Sequence, residues 1–237
     1  PLRRQIQHIE ELYGEKRNLI LLDNNVLASE KFKDIIKDIK ALGFEKGATY
    51  SHKTESGRIS TIHRYVDFNQ GLDSRLLSEE KMALLSEIAI RPVRIAFDNI
   101  NLRQLYIEKI RLAAKYDLSH LSNYILYNFN DHPNDFYDRL RINLYLNEEL
   151  GLHIFSFPMR YVDLKSKNRL TSTPGNIGIH WNVKYLRAIQ CVLIRTRGLV
   201  GTKLDYFLKA FGKDQEEFNK ILLMPESYII NRFKHED

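Results

Sequence analysis

The chain has very little cysteine, and this scarcity excludes several kinds of site. Cys191 is the single cysteine among 237 residues, so the chain can form no internal disulfide and no metal or iron–sulfur site made of cysteines alone. Uninterrupted apolar runs are too short to span a bilayer, and the start PLRRQIQHIEELYGEKRN lacks the apolar core of a secretion signal. We therefore expect a cytoplasmic protein with no membrane partner.

Familiar catalytic motifs and a basic stripe are also missing. The sequence contains no G-x-S-x-G elbow, no phosphate-binding glycine loop and no H-E-x-x-H pair. Its eight histidines lack metal-ligand spacing, so we predict no metal site and assign no catalytic residue. The net charge of +6 comes from 36 basic residues interleaved with 30 acidic ones, a pattern typical of solvated helix faces. A nucleic-acid partner is therefore not expected.

What the sequence does contain is a regular alternation of strand and helix patterns. Apolar runs predict strands near residues 19–22, 62–68, 93–97, 122–127 and 153–157. Helical periodicity lies between them, near residues 29–43, 78–89, 102–116 and 133–150, and the polar stretch EKGATYSHKTESGRIS is interpreted as an exposed loop. Repeated strand–helix units indicate parallel pairing through right-handed crossovers. The predicted fold class is α/β, either part of a TIM-like (β/α) barrel or an open doubly wound sheet.

The rhythm breaks after residue 158 and is replaced by a loop and helices. Asn182, Thr202 and Asp214 are suited to begin helices, and Pro225 interrupts the last one. We therefore divide the chain into residues 1–165, a partial barrel, and residues 166–237, a loop with C-terminal helices packing on it. Cys191 lies beside an apolar helix face and is expected to be an inert packed thiol.

Polar side chains follow each predicted strand. They are Asp23, Asn24 and Asn25 after LILL, Asn69 after YVDF, Asp98 after RIAF and Asn128 after YILY, while HIFSF leads into Met159, Arg160 and Tyr161. Parallel strands place such ends on one rim, where amide and carboxylate oxygens can accept hydrogen bonds from an ammonium or from ribose hydroxyls. Arg160 could face a carboxylate. A plain turn is the alternative interpretation of Asp23–Asn25.

The ordered segments resemble those of one enzyme family. LILLDNNVLASEKFKDIIKDI, FNQGLDSRLLSEEKMALLSEI, PVRIAFDN, YILYNFNDHPNDFYDRLRI and IFSFPMRYVDL are similar to the barrel strands of radical S-adenosylmethionine (SAM) enzymes. The resemblance implies that the intact enzyme binds SAM and a 4Fe-4S cluster and generates a 5′-deoxyadenosyl radical, which abstracts hydrogen from a substrate that the sequence does not identify. The family's C-x-x-x-C-x-x-C loop is absent. We therefore expect a fragment of a longer enzyme, inactive by itself and holding neither cofactor.

The same resemblance implies roles for the polar residues. Asp23, Asn24 and Asn25 stand in place of the family's Gly-Gly-Glu element, which binds the SAM amino group, although Asn25 replaces a usual Glu. Asn69 and Asp98 would contact the ribose or methionine part of SAM, and Asn128 would lie near the adenosine. The backbone of Met159, Arg160 and Tyr161 would meet the adenine.

Two other interpretations remain open. The chain could be a complete, cluster-free α/β module that binds a small ligand or a protein through the same rim. It could also be an unrelated (βα) enzyme in which Asp23 or Asp98 has a raised pKa and acts in acid–base chemistry. In the partial barrel the missing first strand leaves a sheet edge near Ile20, which a second molecule or the C-terminal helices could cover.

Overall fold

A computed structural model describes residues 2–22, 24–163 and 177–232, and it shows a mixed α/β protein. Its contacts divide the chain into two compact units. Unit 1 contains Pro1–Ile95 and Glu108–Leu121, and unit 2 contains Ala96–Ile107 and Ser122–Asp237. The boundary that the sequence suggested after residue 165 falls among residues outside the described ranges, so it stays a prediction.

Unit 1 contains the parallel pairing expected from the sequence. Its first elements are α1 (Leu2–Tyr13), β1 (Asn18–Leu21) and α2 (Phe32–Ala41). β1 pairs in parallel with β4 (Tyr65–Phe68), with Leu21 opposite Phe68. α2 buries its apolar face through Ile36 and Ile39, and Gly43, with φ of +79°, follows its end. A strand feeding a helix and then a parallel strand is therefore confirmed for this part of the chain.

The polar stretch between α2 and β4 is not the irregular loop that we expected. It forms an antiparallel hairpin of β2 (Thr49–Lys53) and β3 (Ile59–His63), with Tyr50 opposite Ile62. The prediction was wrong because the half-buried face mixes aromatic, imidazole and hydroxyl groups, so an apolar period of two is not visible. Buried Arg64 then separates β3 from β4, where a single strand was predicted.

The remainder of unit 1 follows the predicted order with shorter strands. α3 (Glu79–Ser86) is capped by Ser78, whose side chain accepts from the Lys81 N–H at 3.2 Å. β5 covers only Val93–Arg94, although single parallel bridges join Val66 to Ile90 and Leu72 to Ile95. The core includes several fully buried side chains, namely Ile36, Ile39, Leu72, Leu77, Met82 and Leu85.

Unit 2 begins with residues 96–107 and resumes at Ser122. α4 (Arg103–Lys115) and β6 (His120–Tyr127) each have residues in both units, whereas α5 (Pro133–Leu150) and β7 (His153–Arg160) belong to unit 2 alone. α5 has the bounds that the sequence predicted, and it ends at Gly151 with φ of +64°. β6 and β7 are hydrogen-bonded neighbours.

Four helices complete unit 2, namely α6 (Val183–Arg195), α7 (Leu204–Phe211), α8 (Gln215–Leu223) and α9 (Glu226–Asn231). Asn182 and Asp214 cap α6 and α8 as expected, and Pro225 separates α8 from α9. α7 begins after Lys203 rather than at Thr202. Side chains of β6, α5 and these helices form one apolar core.

Two larger properties follow from the described elements. The described strands form sheets of two or three strands, and none of these sheets closes into a barrel. Within the same residues, no helix combines the length and apolarity needed to cross a membrane.

Candidate functional site

Buried Arg139 organises the carboxyl end of β6 within unit 2. Its side chain is fully buried and points all five N–H groups at oxygen atoms. The partners are the Phe97 carbonyl (3.3 Å), the Asp98 carbonyl (2.9 Å), the Leu126 carbonyl (2.7 Å), the Asp135 carbonyl (3.2 Å) and the Asp131 carboxylate (3.0 Å). Burial lowers the pKa of Arg139, and the nearby Asp131 charge opposes that shift. The guanidinium thereby fixes the backbone at Phe97 and Asp98 against the end of β6.

Asn128 directly follows β6 and holds two other segments through its amide. Its φ of +70° lies in the left-handed region that Asn tolerates better than most residues. The Asn128 side-chain N–H donates to the Tyr161 carbonyl at 3.0 Å, and its Oδ1 accepts from the Gly178 N–H at 2.8 Å. Tyr161 in turn donates its own N–H to the Tyr127 carbonyl at 2.7 Å. The buried Asn128 amide therefore holds Tyr161 and Gly178 against the end of β6.

Gly178 approaches the strand end too closely for any other residue. A Cβ at this position would lie 2.8 Å from the Asn128 carbonyl carbon and would collide with the Phe129 carbonyl oxygen. The approach is reinforced nearby by Trp181, whose indole N–H donates to the Asp131 carbonyl at 2.8 Å. The segment 177–181 is therefore packed directly on the loop that follows β6.

Aromatic rings surround this point. The Phe129 and Tyr161 rings lie 4.5 Å apart, and the imidazoles of His132 and His180 are stacked at 3.5 Å. Phe129 and both histidines are exposed. Burial raises the pKa of Tyr127 to about 12, against the opposing charge of Arg160, so the Tyr127 phenol is neutral at physiological pH. The surface at the end of β6 is therefore a polar rim that also carries exposed aromatic and imidazole rings.

Asp98 is the carboxylate of this rim with an altered proton affinity. The residue as a whole is exposed, yet burial of its carboxyl group raises the pKa of Asp98. The charge of Arg139 and a hydrogen bond from the Leu126 backbone act in the opposite direction and only partly offset the burial. Asp98 is therefore easier to protonate than an ordinary Asp.

Unit 1 contains the predicted site residues that come earlier in the sequence. Asn24 is exposed, whereas Asn25 is half-buried in extended backbone (φ −159°) just before a short 3-10 helix, Val26–Ala28. Asn69 continues the β1–β4 ladder, since its N–H donates to the Leu21 carbonyl at 3.2 Å. Asp23 lies outside the described residues.

The predicted site residues thus fall into two sets. Asn24, Asn25 and Asn69 belong to unit 1, and the set in unit 2 is Asp98, Asn128, Met159, Arg160 and Tyr161. Within unit 2 the structure brings Asn128 and Tyr161 into direct contact, and Met159 is 47% exposed. The single rim shared by all of them stays a prediction.

Comparison with known proteins gave no match, either to a protein-family model or to a curated protein.

Two structural features of unit 2 were not predicted from the sequence. One is Arg139, and the other is a buried polar network in which Tyr106 donates to Asn143 at 2.7 Å, Asn123 donates to Tyr106 at 2.9 Å, and Asn143 donates to Ser156 at 2.8 Å. A signal was present, because Arg139 and Asn143 share a helix face with Phe136 and Leu140. Polar residues at such apolar positions indicate buried hydrogen bonding.

Metal-binding groups are not assembled in the described part of the chain. No cluster there contains three or more His, Cys, Asp or Glu side chains that could hold an ion. Cys191 is buried in the helical core of unit 2, and its thiol donates to Glu226 at 3.8 Å. Burial raises the pKa of Cys191, and the Glu226 charge adds to this shift. The thiol is therefore a poor nucleophile, in line with the packed role expected from the sequence.

Proposed function

We propose that the chain is the SAM-binding body of a radical SAM enzyme and that its strand–helix units belong to a partial TIM-like barrel. The main support is the parallel β1–β4 pair, because its register carries Leu21 and Asn69 to adjacent strand ends. The amide side chains of Asn24 and Asn25 follow on the same segment as Leu21. Ligands of α/β folds bind at such carboxyl ends.

The described residues suit the nucleoside and amino-acid parts of SAM to different degrees. Both backbone polar groups of Tyr161 are already hydrogen-bonded, so they are not available to an adenine. The exposed Phe129 ring offers a face for stacking. Asn128 serves as a positioning residue, since its amide holds Tyr161 and Gly178. Asn25 and Asp23 are our candidates for the amino group of SAM.

The iron–sulfur cluster implied by the resemblance does not fit this chain. Cluster binding in that family uses three thiolates, and Cys191 is the chain's single cysteine and is buried away from solvent. We therefore assign no cluster ligand to these residues and derive no reaction step through the cluster.

Calorimetric titration with SAM of the intact enzyme, in which this chain is joined to its cluster loop, tests the proposal. Asp23→Ala should weaken binding by about 1.5–3 kcal/mol, the range for hydrogen bonds to charged groups. Asn25→Ala should weaken it less, because a neutral amide oxygen is a poorer acceptor for an ammonium. Asn18→Ala provides the matched control, since this exposed amide lies at the opposite, amino end of β1.

A second ligand shows which part of SAM is recognised. Methylthioadenosine lacks the amino-acid part of SAM, so its affinity should be unchanged in the Asp23 and Asn25 variants. Absence of saturable SAM binding by the intact wild-type enzyme would refute the proposal and favour another ligand for the same strand ends. Equal losses of affinity for SAM and for methylthioadenosine would show that Asp23 and Asn25 do not contact the amino group of SAM.

An acid–base enzyme is the second candidate function, and the raised pKa of Asp98 favours it. A carboxyl group that is easily protonated at an exposed strand end can transfer a proton to or from a ligand. Carbon-13 NMR titration of the Asp98 carboxyl should give a pKa above that of an ordinary Asp. A normal pKa for Asp98, together with SAM binding, would rule out the acid–base enzyme and leave the radical SAM enzyme as the proposed function.

A further inference from the structure

A cavity lies between α7 and the connector that joins it to α6. It encloses about 290 Å³ and belongs entirely to unit 2. One wall is the connector from Thr196 to Lys203, and the other is the inner face of α7, with Phe207, Ala210 and Phe211. It is separate from the rim at the end of β6, because none of its lining residues belongs to that rim.

Both walls of the cavity are held in place. Val200, in the connector, exchanges two backbone hydrogen bonds of 2.9 Å with Ser156 of β7. On the opposite side Phe207 and Phe211 are 2% and 0% exposed and belong to the apolar core. The Tyr206 hydroxyl also donates to the Arg195 carbonyl at 2.9 Å, which ties α7 to the end of α6. The space is therefore built into the packing and does not depend on loosely held side chains.

The chemistry of the walls favours an apolar occupant. A volume of this size could hold about ten waters at about 30 Å³ each, but a buried water requires polar partners. The side chains of Leu199, Val200, Phe207, Ala210 and Phe211 supply none, and the polar side chains of the lining are those of Thr196, Thr202, Lys203 and Tyr206. A mainly apolar cavity of this kind favours hydrocarbon groups over water.

The opening of this cavity is lined by charged and polar side chains, in contrast to its apolar walls. Lys203 and Tyr206 line both the cavity and an adjoining surface depression. That depression carries the cations Arg195, Lys203 and Lys209 beside the carboxylates Glu148 and Asp205. Lys203 stands where the two spaces meet and can contact the polar end of a ligand whose apolar end is buried.

We propose that this cavity binds a monocarboxylate with an aliphatic chain of medium length. The chain fills the space between the connector and α7, and the carboxylate pairs with the Lys203 ammonium. Size, wall chemistry and charge agree on this class, because a longer acyl chain exceeds the volume and an amine would meet Lys203 with like charge. The proposal does not depend on SAM binding.

Titration with octanoate tests the proposal on the whole chain, with 1-octanol and octylamine as probes of the same length. Octanoate should bind saturably, at one site, and about tenfold more tightly than octylamine, because of the charge at Lys203. Chemical-shift changes should centre on Val200, Phe207 and Phe211. Absence of saturable octanoate binding, or equal affinity for octanoate and octylamine, would overturn the proposal.

Two variants separate the apolar and charged contributions. Lys203→Gln should weaken octanoate about tenfold and leave 1-octanol unchanged. Gly201→Leu should weaken both ligands about tenfold or more by filling the space, and a Cβ at Gly201 would meet no atom within 4 Å, so folding should survive. Melting temperatures confirm folding of each variant. If octanoate affinity is unchanged in Lys203→Gln, a surface substitution that carries little folding risk, the proposed site is wrong.

Discussion

At the scale of single residues, Arg139 does most to hold the segments around the end of β6 together, although it was not singled out from the sequence. Four of its five hydrogen bonds join the segment at Phe97 and Asp98 to the end of β6 and to Asp131, and the fifth goes to the Asp135 carbonyl within α5. A buried cation is tolerated only when its donors are satisfied, and here the fork of the guanidinium matches the arrangement of carbonyl oxygens. A point charge on a flexible stem cannot reproduce that pattern.

Arg139→Lys should therefore destabilise the protein by about 3–5 kcal/mol, the usual cost of breaking a buried, hydrogen-bonded charge site. Urea denaturation would measure the change. Arg141→Lys is the control, because Arg141 is in the same helix and its guanidinium contacts the exposed Tyr145; it should stay within about 0.5 kcal/mol of wild type. Similar losses in both variants would show that the five bonds do not have this importance.

Asp98 gives a prediction about pH. Burial raises the pKa of Asp98 in the folded protein, so between the ordinary Asp value of about 3.9 and the raised value the folded state binds more protons than the unfolded state. The stabilising contribution is present below the ordinary value and is lost as the pH rises through the folded pKa. Asp98→Asn removes this ionisation, so its melting temperature relative to wild type should be higher at pH 7 than at pH 4. Calorimetry at the two pH values provides the measurement, and a constant difference would mean that the pKa is not raised.

At the scale of secondary-structure elements, a buried polar network joins two strands and two helices of unit 2. Tyr106 of α4, Asn123 of β6, Asn143 of α5 and Ser156 of β7 share hydrogen bonds of 2.7–2.9 Å. Burial raises the pKa of Tyr106 well above its ordinary value, so its hydroxyl remains a donor. Such a network is directional, and it therefore restricts how these elements can slide past one another.

Tyr106→Phe should cost about 1–3 kcal/mol, because it leaves buried amide groups of Asn123 and Asn143 without their partner. The matched control is Tyr145→Phe, which removes a hydroxyl from a residue that is 55% exposed and should change little. Thermal denaturation of both variants gives the comparison. A loss confined to Tyr145→Phe would contradict the assigned roles.

The elements also show what the sequence could and could not predict. α5 and the capped helices α6 and α8 were predicted well, because caps, a terminal glycine and helical periodicity are local signals. The β2–β3 hairpin was missed, since its half-buried face shows no apolar period of two and its contacts include one from Arg64, whose guanidinium lies 5.8 Å from the Tyr50 ring centre. The positions of Asn128 and Tyr161 were predicted, but their mutual hydrogen bond was not, because it depends on the approach of two distant segments.

At the scale of the whole molecule, β1 has an unusual surface for the edge of a sheet. Among the described strands it pairs only with β4, and Ile20 and Leu22 are 58% and 73% exposed. The sequence pattern predicts an open edge near Ile20. Unpaired N–H and C=O groups beside aliphatic side chains favour pairing with another chain.

We therefore expect this chain to associate weakly as its concentration rises. Ile20→Lys should suppress the association, because a lysine on an edge strand opposes strand addition. Ile59→Lys is the control, since Ile59 is 73% exposed on the hairpin, away from β1. Sedimentation velocity over a concentration series would show the difference. Equal suppression by both variants would indicate a general effect of added charge, and a monomer at all concentrations would refute the prediction.

The base of the β2–β3 hairpin has a consequence for how this chain tolerates change. The Arg64 N–H donates to the Ala48 carbonyl at 2.9 Å, so the two ends of the hairpin lie at neighbouring points within unit 1. Closing a short linker across such a gap costs little entropy, and a longer insertion costs only slightly more. The fifteen residues of Thr49–His63 can therefore be shortened, exchanged or extended with little effect on the β1–β4 register. This makes the hairpin a place where related chains can differ in length while keeping the same parallel sheet.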